Sequence, residues 1–294
     1  MTAPISNRET RYTTEVNVTT STVPTTLNGV PTVTDATLTS KKKMMNDEIA
    51  IVIPYLAEAA QGNELELAVT GWRKHFILPH HFIIVGDSHP IVSSGDDITF
   101  MDLPRVKKCE DGNYLPHIDI VKKFIAASMY LSSEGFDHFI YTCDDIYPVN
   151  DFSLVEILFP KVAGKMHRND SDTTGWAGDL QRTRKICEEE NLPLWDWVCH
   201  LPVFYDINNL LSVIGEYCCF ETSYILENIY FNKTQDNRIP LVLNGSDNLK
   251  YEVSTNPLDS FGFDRALQEK IFINNTNSGW SQELEDRLRK HYNK

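Results

Sequence analysis

Three continuous apolar runs constrain this chain more than anything else in it. They are Ile49-Ala50-Ile51-Val52-Ile53-Pro54-Tyr55, His81-Phe82-Ile83-Ile84-Val85-Gly86-Asp87, and the run from Phe139 that ends at Asp144-Asp145. A run with no polar alternation reads as a strand covered on both faces, which is the condition of a parallel sheet flanked by helices. The intervening segments carry helical spacing: Leu65, Val69 and Trp72 within Glu64 to His75, and Ile120, Val121, Phe124, Ile125 and Met129 within Ile118 to Leu131. Ile98 to Asp102 reads as a further short strand. The pattern predicts an α/β fold opened by a βαβ unit. Right-handed crossovers would bring Pro54-Tyr55, Gly86-Asp87 and Asp144-Asp145 to one edge of the sheet, where such sheets hold their ligands.

Two adjacent carboxylates at that edge suit a hard divalent cation beside a phosphorylated substrate. The same pair also suits turn chemistry, with short acceptor side chains satisfying local backbone donors.

Beyond Val149 the pattern is less regular. Helices are predicted at Asp179 to Glu190, Ile207 to Glu216 and Ser281 to His291, with loops marked by Pro193, Pro202, Pro240, Gly245 and Gly262. Residues 1–45 stand apart. Thr fills thirteen of the first forty positions and Lys41-Lys42-Lys43 closes the segment, so it is expected to be a flexible or docking arm for a protein partner. The remainder, 46–294, is expected to be one domain with a nucleotide-binding half at 46–150 and an acceptor-side half at 151–294.

A formal net charge of −14 weighs against broad attachment to nucleic acid or anionic lipid. No apolar run is long enough for a membrane span, and residues 1–45 hold no apolar signal region, so a cytoplasmic setting is expected. In that setting the acceptor-like sites at Asn17, Asn169, Asn232, Asn244 and Asn274 carry little meaning. Cys109, Cys143, Cys187, Cys199, Cys218 and Cys219 show no zinc spacing and read as reduced thiols.

The order Ile51-Val52-Ile53-Pro54-Tyr55, Asn63-Glu64-Leu65, Gly86-Asp87, Asp144-Asp145, His200-Leu201-Pro202 and Phe272-Ile273-Asn274-Asn275 resembles the GT-A-type glycosyltransferases of phages and bacteria. It is most similar to the branch related to the Stealth capsular polysaccharide phosphotransferases. In that branch an Asn-Glu-Leu element opens the first helix, an Asp-Asp turn follows a Lys-bearing helix, and a His-x-Pro element comes later. Asp119 and Lys122 or Lys123 fit the helix, and Trp176 to Asp206 resembles the segment leading through His-x-Pro.

The resemblance implies a GT-A-like mixed sheet flanked by helices and a nucleotide-diphospho-sugar donor. It implies a glycan or, for a phage-encoded chain in its host's cytoplasm, a modified base as acceptor. Mn²⁺ or Mg²⁺ would sit on Asp144 and Asp145, with His200 completing the coordination or contacting phosphate; alternatively His200 only caps the loop before Leu201-Pro202. Pro54, Tyr55, Glu64, Gly86, Asp87 and Lys122 would contact the donor, although Glu64 also suits a first helical turn on electrostatic grounds alone. Asp145, His200 and Asp196 are the catalytic candidates. Trp195-Asp196-Trp197 offers aromatic faces for a sugar ring, or plain core packing. Asp179 and Arg182 either reach the acceptor or form a solvated pair.

One departure is visible, because Ile146 stands where a full Asp-x-Asp would carry its second acid. Two other functions stay open beside sugar transfer: transfer of a sugar phosphate, and a non-catalytic assembly or virion component that reuses a transferase fold.

Overall fold

The computed structural model describes residues 26–27, 30–31, 37–40, 48–93, 95–105, 116–167, 175–235 and 239–294. Its centre is a six-stranded mixed sheet. Strand Ile49–Tyr55 pairs in parallel with His80–Gly86 on one side and with His138–Tyr141 on the other, and Ile98–Asp102 continues the parallel run beyond His80–Gly86. Antiparallel strands close both ends: Val203–Asp206 beside His138–Tyr141, and Thr37–Ser40 beside Ile98–Asp102. The last of these lies within the Thr-rich segment, so the sheet recruits an edge strand from residues expected to form an arm. Most of 1–45, and Cys109, lie outside the described residues.

Alternate residues of each central strand serve opposite faces, as the extended backbone requires. Ile51, Ile53, Phe82, Ile84 and Ile140 pack with Leu65, Val69 and Trp72 of helix Glu64–His75. Ala50, Val52, Ile83, Val85, Phe139 and Tyr141 pack with Val121, Phe124 and Ile125 of helix Pro116–Ser133. The first two helices therefore cover different faces, and the chain reverses its direction of strand addition at Ile49–Tyr55. Beside that strand the sheet has its switch point, where loops at the carboxyl ends diverge and leave a crevice.

The apolar run after Asp145 leaves the main sheet. Ile146–Pro148 instead joins a second sheet in the order Lys250–Val253, Phe272–Asn275, Ile146–Pro148. This sheet lies close against the first helix because Gly71 has no Cβ: one built there would meet the Pro148 carbonyl oxygen at 2.6 Å. Leu67 and Ala68 of that helix share a core with Tyr147, Ile273 and the Leu284 and Leu288 side chains of the last helix, Gln282–Tyr292.

Candidate functional site

The carboxyl ends of the parallel strands converge on a group of acids. Asp144 and Asp145 form the turn between His138–Tyr141 and Ile146–Pro148, and both keep part of their surface open. Glu64, buried at the start of the first helix, faces them. Desolvation, then Asp145, then Glu64 push the Asp144 carboxyl up to about 8. Desolvation, Glu64 and Glu252 push Asp145 up to about 7, against an opposing pull from Lys250. The buried Asp145 Oδ1 has no hydrogen-bond partner. A pair of carboxylates that repel each other, one with an orphaned oxygen, is poorly satisfied by protein alone; a cation would relieve both strains.

Glu64 is held firmly. Its Oε2 accepts from the Gln61 backbone N–H at 2.6 Å and its Oε1 from Asn275 Nδ2 at 2.8 Å. Asn275 Oδ1 in turn accepts from the Tyr147 hydroxyl at 2.5 Å. This relay ties the second sheet to the start of the first helix. Desolvation raises the proton affinity of Glu64, and the Asn275 bond opposes that rise. Asn275→Ala would leave a buried carboxylate oxygen and a buried phenol unpaired. It should cost about 1–3 kcal/mol in a urea unfolding titration; a cost near zero would show that the relay is not a strut.

The remaining sequence candidates separate into two groups. Tyr55 is buried at the end of its strand, and desolvation, Asp144, Asp87 and Glu64 raise its phenol. Pro54 precedes it, half-buried and opposite Val85. Asp87 is fixed by accepting from the Ala57 backbone N–H at 2.9 Å. Gly86 takes φ +133° and lies directly against the Tyr55 carbonyl. These residues share one rim with Asp144. The lysine that reaches this rim is Lys123, not Lys122: its ammonium donates to the Tyr55 carbonyl at 3.0 Å and pairs with Asp119 at 2.9 Å, all in buried surroundings.

The second group lies across the turn. Strand Val203–Asp206 runs antiparallel to His138–Tyr141 with Val203 opposite Tyr141, which carries the preceding His200-Leu201-Pro202 back past Thr142 and Cys143. His200 is exposed, adopts φ +49°, and is held below the ordinary imidazole range by desolvation and by Lys250. Among the described residues no group of three or more His, Cys, Asp or Glu side chains could hold a metal ion. His200 therefore does not stand as a third protein ligand beside Asp144 and Asp145.

Asp196 Oδ1 accepts from Asn228 Nδ2 at 3.1 Å and from the Val198 backbone N–H at 3.3 Å, which fixes the loop. Trp197 is core, tilted on Phe231, while the Lys165 ammonium sits 3.4 Å from the Trp195 ring centre. Asp179 and Arg182 do pair, but Asp179 is buried rather than solvated.

Sequence reasoning gave no individual role to Asn275, Tyr147 or Lys250. It also missed a cavity of about 230 Å³ beside the acidic turn, lined by His117, Cys143, Trp176, Trp197, His200 and Glu227, among others. The five described cysteines are free, and no helix among the described residues is long and apolar enough to cross a membrane. No protein-family model matches this chain, and neither does any curated protein sequence.

Proposed function

We propose that this chain is a GT-A-like glycosyltransferase that moves a sugar from a nucleotide-diphospho-sugar to a hydroxyl acceptor. The observation that carries the reading is the Asp144–Asp145 pair, set at the switch point among the parallel strands of the mixed sheet, with raised proton affinity and an unpartnered buried oxygen. Two protein carboxylates with substrate phosphates are a common way to hold Mg²⁺ or a similar hard cation, so a third protein ligand is not required.

Asp144 and Asp145 would hold that cation. When bound, it neutralises charge on the departing diphosphate as a Lewis acid. The chain's own residues do the rest. Gly86 lets the Tyr55 carbonyl approach Lys123, and Asp119 holds the lysine in place, which stiffens the nucleotide side of the crevice. Lys250 lies near enough to influence both Asp145 and His200 and gives the crevice a positive charge suited to phosphate.

The test is calorimetric and thermal-shift titration of the full chain with UDP, GDP, CDP and their sugars, with and without Mn²⁺. A cation-dependent stabilisation by one nucleotide is expected, with nucleoside diphosphate as the released product. Release of nucleoside monophosphate would instead establish sugar-phosphate transfer. Silence across the panel would favour a non-catalytic role.

A further inference from the structure

The cavity beside the acidic turn contains a constellation that the nucleotide site does not use. His117, in the first turn of helix Pro116–Ser133, lines it, and its Nδ1 bonds Asp179 Oδ2. Asp179 is 3% exposed and engaged from three sides: Arg182 on Oδ1, and His117 with the Ser223 hydroxyl, at 2.5 Å, on Oδ2. A carboxylate so engaged only accepts, so Nδ1–H donates to it and Nε2 is the ring nitrogen left to meet a substrate proton. Thr142, Cys143 and Ile146, which flank Asp144-Asp145 on both sides, line the same cavity. Its volume of about 230 Å³ is below the roughly 300 Å³ lower end of small-molecule pockets, so it suits one ring of an acceptor rather than a whole oligosaccharide. Trp176, half exposed at its edge, offers an aromatic face, and Glu227 offers a carboxyl group to a hydroxyl.

We infer that this cavity is the acceptor subsite and that His117, oriented by Asp179, is the general base of the transfer. The inference rests on the transferase reading above. In the step, the acceptor hydroxyl gives its proton to His117 Nε2. The oxygen's electron pair forms the bond to the donor's anomeric carbon. The bond from that carbon to the β-phosphate oxygen breaks, and its electrons leave on the nucleoside diphosphate. Attack from the side opposite the leaving group inverts the anomeric configuration. Asp179 is a positioning residue: it fixes the tautomer and balances the imidazolium that forms.

The experiment follows nucleoside diphosphate release from the nucleotide-sugar that binds in titration, with p-nitrophenyl glycosides and water as acceptors. His117→Gln should keep wild-type nucleotide affinity and donor KM while kcat falls by about 10²–10⁴-fold. His117→Ala should regain part of its rate on adding imidazole, a rescue that a purely structural histidine would not show. Asp179→Asn should lower kcat by at least about tenfold with donor KM unchanged. Wild-type nucleotide binding together with undiminished turnover in His117→Gln, or with no turnover in any protein, would overturn the base assignment and leave the nucleotide site standing. Absence of nucleotide binding by the wild type would overturn the transferase reading and this inference with it.

Discussion

Asp144→Asn and Asp145→Asn, alone or together, should raise the melting temperature of the cation-free protein and abolish cation-dependent nucleotide binding. In the native protein the two carboxyls are pushed up to about 8 and about 7, against 3.8 for an unperturbed aspartate. Between about pH 4 and pH 8 the folded state therefore binds more protons than the unfolded chain, and stability falls as pH rises through that window. Below about pH 4 both states are protonated and the penalty vanishes; above about pH 8 it is complete. A tenfold change in proton affinity between the folded and unfolded states corresponds to about 1.4 kcal/mol, which taken in full over both carboxyls would be roughly 10 kcal/mol; both keep part of their surface open to water, so screening cuts the cost to on the order of a few kcal/mol. An asparagine at either position removes charge without removing much volume, which is why stability should rise as function is lost.

Thermal melts at pH 5 and pH 8 make this measurable. The gap between variant and wild type should be small at pH 5 and widest at pH 8. Mn²⁺ should close the gap by stabilising only the wild type, and more strongly at pH 8 than at pH 5, because fewer protons then compete for the carboxyls that would hold it. Melting curves of wild type and variants that run parallel from pH 5 to pH 8, with no response to Mn²⁺, would show that the turn is ordinary loop chemistry.

What the sequence disclosed follows from the length and locality of each signal. The strands from Ile49, His81 and Phe139 are apolar without interruption, and the helix at Ile207–Glu216 has a clean periodicity, so these could be placed from the chain alone. The Asp144-Asp145 turn could be found because it ends such a strand. The second sheet could not, since its strands are short, carry Lys250, Glu252, Asn274 and Asn275, and are tied together by the pairing of Phe272–Asn275 with Ile146–Pro148, more than a hundred residues earlier. Helix Leu226–Thr234 escaped notice because it is buried around most of its surface and shows little periodicity.

The choice between Lys122 and Lys123 was legible in principle. Asp119 lies four residues before Lys123, on the same face as the buried Phe124 side of the helix, and a salt bridge at that spacing marks the inward lysine. His117 offered no comparable signal. Its partner Asp179 is 62 residues away and joins it only through tertiary packing.

Gly86→Ala should be the most damaging single methyl that can be added to the candidate nucleotide crevice. A Cβ at Gly86 would lie 2.0 Å from the Tyr55 carbonyl oxygen and 3.0 Å from the Lys123 ammonium, at a φ of +133° that L-residues rarely adopt. That carbonyl accepts from both Lys123 Nζ and the Asp87 backbone N–H, so moving it disturbs the buried lysine and the next turn together. Backbone strain, the clash and a weakened hydrogen bond to a charged group sum to on the order of 3–5 kcal/mol, a large part of a typical domain's stability. Gly135 supplies the control: it also has positive φ, +88°, but a Cβ there meets nothing within 4 Å. Gly135→Ala should therefore cost only the backbone term, about 1–2 kcal/mol. Urea unfolding of the two variants separates close approach from conformational preference. If Gly86→Ala cost no more than Gly135→Ala, the Tyr55 carbonyl would have room to move, and the rigid nucleotide-side wall inferred from it would be wrong.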